Sequence, residues 1–154
     1  MATTTVVRVP ESYVSTEVWD RQVALLLRNP ADTEELAGRK FGQCIAYLMA
    51  CGENPDLMLG PSAQVDEAWH SFMLDSVHYH HFTQARFGRY IHHVPQVREQ
   101  AVDGRNSGTG GPLVLERTVC AIRAAGFQVD AELWGMEDAA ECNQCHAGCH
   151  DSPK

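Results

Sequence analysis

The sequence predicts a mainly α protein, a compact bundle of four or more helices with a Cys-rich C-terminal tail. Apolar residues recur with helical spacing in four separate stretches, no stretch sustains strand alternation, and Pro, Gly or a capping residue punctuates each periodic run. At 154 residues the chain is long enough to bury a core without disulfides. The expected organisation is a helical domain over residues 1–134 and a Cys/His-rich tail over 135–154.

In chain order, Thr16 is expected to cap a first helix carrying Val18, Trp19, Val23, Leu26 and Leu27, ended by Asn29-Pro30. Asp32 should cap the second, with Glu34 and Glu35 favourably placed in its first turn. Its apolar stripe is Leu36, Phe41, Cys44, Ile45, Leu48 and Met49, with Gly52 as a stop. Residues 53–62, with Asn54-Pro55 and Gly60-Pro61, form a turn-rich connection.

A third helix over residues 63–87 is expected to be the spine of the domain. It turns Val65, Ala68, Trp69, Phe72, Met73 and Ser76 inward and ends at Gly88. The glycines of residues 103–111 preclude regular structure, so that segment reads as a mobile loop. Pro112 then opens a fourth helix through Leu113, Leu115, Val119, Ile122 and Ala125 to Gly126. Residues 5–10 read as a short edge strand.

Composition narrows the partners. Net charge is −8 with a pI near 5.4, and the basic residues are scattered, which argues against nucleic acid or an anionic membrane surface as a partner. No window approaches the apolar length of a membrane span, and residues 1–10 lack the pattern of a secretory signal, so a cytoplasmic location is expected. In that reducing setting Cys142, Cys145 and Cys149 point to metal or redox chemistry, whereas Cys44, Cys51 and Cys120 read as buried apolar residues.

Chemistry concentrates in residues 65–95, which hold six of the eight histidines: His70, His78, His80, His81, His92 and His93. Asp66 and His70, at i and i+4, share one helix face. His81, eleven residues beyond His70, lies roughly 16 Å further along a helix axis and cannot join it on one ion. A single centre must draw further ligands from elsewhere, and His92 or His93 is the best supply because Gly88 frees the chain to fold back. His81 is alternatively close enough in sequence to pair with either. His78, His80 and His81 otherwise read as surface residues, and Tyr79 and Tyr90 as phenol donors near the site or as core aromatics. The competing reading makes His70 a packing residue whose tautomer Asp66 fixes, with His92 and His93 tying down a turn.

The segment Val65-Asp66-x-x-Trp69-His70, followed by Phe87-Gly88 and the closure His92-His93-Val94-Pro95, resembles the glycine-rich domain-containing protein-like family. The resemblance implies that Asp66, Trp69, His70, His92 and His93 are the defining positions. Thr83 and Ser76 depart from relatives that often carry cysteine and threonine there.

In the tail, Cys142-x-x-Cys145 with Cys149 offers three thiolates to one zinc, with the fourth ligand from the domain body, His93 being a candidate, or from a second chain. Cys142-Asn143-Gln144-Cys145-His146 also spells a c-type haem attachment pattern, disfavoured because that chemistry normally needs export. A disordered, oxidisable tail competes with both. Two classes of function follow. One is a metal-dependent enzyme acting on a small molecule, with Asp66, His70 and Tyr79 as catalytic candidates and Asp66, His70, His92 and His93 as ligands to zinc first, or to iron or copper. The other is a non-catalytic helical interaction module with structural histidines and a tail that binds zinc or a protein partner.

Overall fold

The computed structural model describes residues 6–94 and 112–136. Among the described residues a 3-10 turn at Pro10–Tyr13 precedes five helices: α1 (Thr16–Leu26), α2 (Glu34–Glu53), α3 (Ala63–Leu74), α4 (Ser76–Phe87) and α5 (Pro112–Ala124). The fold is mainly helical, as expected. The glycine-rich segment 103–111 and the cysteines Cys142, Cys145 and Cys149 lie outside the described residues, as does Thr5. Instead of an edge strand, the N-terminal segment contributes one parallel bridge, between Arg8 and Phe127. Among the described residues no helix is long and apolar enough to cross a membrane.

The helix starts shift by one residue from expectation. Ser15, not Thr16, caps α1 by accepting from the Val18 amide, and Thr33, not Asp32, caps α2 by accepting from Leu36. Asp32 is drawn away by Lys40, whose ammonium bonds it at 2.6 Å and Glu67 at 2.8 Å. The Lys40 and Asp32 side chains are only 5% and 2% exposed, so Asp32 would be an uncompensated buried charge without Lys40. Burial works against the Lys40 charge, but its two carboxylate partners prevail and raise its pKa. Asn29 donates to the second oxygen of Glu67, so the α1–α2 turn, α2 and α3 are tied at one point.

The centre of the bundle is α2 rather than the third helix. Every residue from Phe41 to Ala50 is buried, as expected of a helix apolar on all sides and surrounded by neighbours. Phe41 meets Trp19 and Phe72, and Tyr47 meets Trp69 and Trp134. Gly52 does not stop α2, which runs on to Glu53 with Asn54 bonding back to the Ala50 carbonyl. Its glycine serves a close approach: the Phe87 ring from the end of α4 occupies the space a Cβ would need.

The expected helix over residues 63–87 is two helices, broken at Asp75 (φ −82°, ψ 60°). The Asp75 carboxylate accepts from Arg21 and Gln22 of α1, both at 2.8 Å, and contacts His78 Nδ1 at 3.0 Å. A short polar side chain bound this firmly outside the helix pins a corner where apolar periodicity alone continues straight. Ser76 is consequently exposed instead of facing the core, while Tyr79 and Phe82 turn inward beside Phe72. Gly88 closes α4 in the left-handed conformation (φ 64°), and the chain returns along α3 and α4 through residues 90–94.

After α5, Gly126 (φ 88°) reverses the chain, and residues 127–136 wrap over α2. Phe127, Leu133 and Trp134 are buried there, and the Trp134 indole donates to Gln43 at 2.8 Å. Arg39 fixes this wrap through two bonds to Asp130, at 2.7 and 3.0 Å, and one to Glu132.

Candidate metal centre

Three potential ligands meet where the return segment crosses α3. Asp66 and His70 lie one turn apart on α3, and the Asp66 Oδ2 stands 3.5 Å from His70 Nδ1. Its other oxygen is 2.7 Å from Nε2 of His93, which the return segment brings back from beyond α4. The two imidazoles lie against each other with centroids 4.5 Å apart and planes inclined by 32°. One ligand atom from each of the three lies within 4.8 Å of the others, so the group could hold a metal ion. Donors about 2.0–2.2 Å from one tetrahedral ion stand roughly 3.3 to 3.6 Å apart.

Exposure divides the histidines. Along the return segment Ile91 is buried, His92 exposed, His93 half-buried and Val94 exposed, the period-two alternation of extended chain. His93 therefore turns inward with Ile91, and its ring also packs on Trp69 at a centroid distance of 4.5 Å. His92 turns the other way and rests on Tyr90 at 4.8 Å, outside the three-residue group. His80 and His81 are exposed on α4, and His78 is engaged with Asp75. The His70 side chain, 53% exposed, leaves one side of the centre open to solvent, whereas Asp66 and His93 are 16% and 14% exposed.

Tyr79, singled out from sequence as a catalytic candidate, lies in the core behind this group. Its hydroxyl accepts from the Trp69 indole at 3.0 Å and donates to the Ile91 carbonyl at 2.6 Å. Burial pushes its pKa well above the ordinary phenol value, so the proton is retained. Burial likewise raises the Cys44 thiol and lifts Cys51 to about 11, which keeps both protonated near neutrality. Cys44 is fully buried and Cys51 half-buried, in keeping with their reading as apolar packing residues. Cys120 on α5 departs from that reading: it is half-buried and disulfide-bonded.

Two participants escaped sequence reasoning. The Lys40 network gave no signal because its partners, Asp32 and Glu67, come from different elements. The Trp69–Tyr79–Ile91 relay depends on the break at Asp75, for which the Asp75-Ser76 pair was the available sign.

No curated protein and no solved structure matches the chain. A family model does, over residues 25–110, a span that contains Asp66, Trp69, His70, Tyr79 and His93. By that match over more than half its length, the chain belongs to the UCP032817-like family.

Proposed function

We propose that this protein binds a divalent transition-metal ion, zinc in the first place, through Asp66, His70 and His93. The observation that carries the reading is the convergence of a carboxylate and two imidazoles from two separate segments within 4.8 Å. Two nitrogens and one oxygen suit zinc and also iron or copper, and three protein ligands beside an open face form the pattern of catalytic rather than closed structural sites. The exposed side of His70 supplies that open face. A bound metal there would supply Lewis acidity for activating water on a small molecule. Asp66 would contribute charge, and His93 a ligand held in place by the Trp69 ring. The resemblance to the glycine-rich domain-containing protein-like family is part of this proposal, since it singles out Asp66, His70 and His93 among its defining positions.

The Cys142, Cys145 and Cys149 set is proposed as a second, structural zinc site or as a docking element for a protein partner. A reducing cytoplasm is the setting in which those thiols would be available. A second reading of the helical body rests on the 2.7 Å contact between Asp66 and His93, which satisfies both groups without metal. On it the pair simply fastens the return segment to α3 in a non-catalytic interaction module. Calorimetric titration of the reduced full-length protein with zinc separates the two. Metal binding requires an uptake event that Asp66→Ala abolishes, and the structural reading requires that Asp66→Ala change stability alone.

A further inference from the structure

We infer that Tyr79 is a positioning residue for the Asp66, His70 and His93 centre, acting through the Ile91 carbonyl on the placement of His93. The inference rests on the metal-binding reading above and names a residue that touches none of the three ligands. Indole N–H can only donate and a carbonyl can only accept, so the direction of the relay is fixed: Trp69 to Tyr79, Tyr79 to Ile91. The hydroxyl proton is thereby committed to one backbone atom two residues before His93. Ile91 and His93 turn to the same side of the return segment, so fixing one sets the side and depth at which the other presents its ring.

The same Trp69 that donates to Tyr79 packs against the His93 ring, the two planes inclined by 44°. The relay therefore joins α3, α4 and the return segment around the imidazole that must reach Asp66. Packing alone does not call for the hydroxyl. Tyr79 makes edge contacts with Phe72 at 5.2 Å and with Tyr90 at 5.1 Å, which a phenylalanine ring would keep. Loss of an outer hydrogen-bond partner that orients a metal-ligating histidine typically costs about 10- to 100-fold in metal affinity.

The test compares Tyr79→Phe with Phe82→Leu, a substitution beside Phe72 and Phe87 that loosens the same core without touching the relay. Two quantities are read on the folded proteins: zinc affinity by chelator competition, and the metal-free proton signals of the His93 ring, which the adjoining Trp69 ring displaces. Tyr79→Phe should weaken zinc by about 10- to 100-fold and move the His93 signals, while Phe82→Leu leaves both near wild type. Unmoved His93 signals and unchanged affinity in Tyr79→Phe overturn the inference, as does an equal loss in Phe82→Leu. A wild type whose zinc uptake His93→Ala leaves undiminished overturns the metal reading instead, and the metal-free signals then decide the role of Tyr79 by themselves.

Discussion

The imidazole of His93 stands 2.7 Å from the Asp66 carboxylate across a separation of 27 residues, and Trp69 packs against the same ring. Both contacts depend on α4 folding back at Asp75 and on the return segment after Gly88. The centre is thus a product of tertiary structure more than of a helical motif.

Trp69 should be the most costly single truncation near the centre. It is 4% exposed, meets the rings of Tyr47 and His93, and donates to Tyr79. Trp69→Ala is expected to destabilise by roughly 3–5 kcal/mol in chemical denaturation. A loss below about 1 kcal/mol would contradict this packing.

Lys40 holds two carboxylates while itself buried. Lys40→Met strands the Asp32 charge in the interior and should cost roughly 3–5 kcal/mol. The double variant Lys40→Met, Asp32→Leu should recover a large share of that loss. Failure to recover it would mean that packing of the lysine stem, and not charge pairing, is what matters.

Acid should weaken the fastening of the C-terminal wrap. The hydrogen bonds from Arg39 hold Asp130 below its ordinary value of 3.8, against the opposing effect of burial. A depressed folded-state pKa contributes stability that is present above 3.8 and lost as pH falls through the lower folded value. Asp130→Asn is therefore expected to lower stability by about 1 kcal/mol at neutral pH. The gap to wild type should close below pH 3.8, and a gap independent of pH would assign the effect elsewhere.

The two adjacent histidines should behave differently. His93→Ala should weaken zinc by more than the roughly 100-fold cost of losing an outer partner, whereas His92→Ala should leave affinity near wild type. Equal losses at both positions would show that His92 also reaches the ion.

Much of the fold was legible because its elements obey local rules. The apolar run of α2, the caps one residue from expectation and the Gly88 terminator all reflect backbone chemistry within a few residues. The break at Asp75 was not, since its cause is a set of bonds to Arg21 and Gln22 more than fifty residues away. Likewise Asp66 and His70 were legible from an i, i+4 spacing. Choosing His93 over His92 required knowing which way the return segment faces the core, and Tyr79 changed from a catalytic candidate to a proposed positioning residue because the turn buries it.

The most direct test of the metal centre is the zinc content of a reduced protein ending at Met136, with and without His93→Ala. Removing residues 137–154 takes away Cys142, Cys145 and Cys149, so any retained ion belongs to the helical body. The account predicts one zinc per chain in the truncated protein and its loss in His93→Ala. A truncated protein that holds no zinc, or one whose zinc survives His93→Ala undiminished, would contradict it.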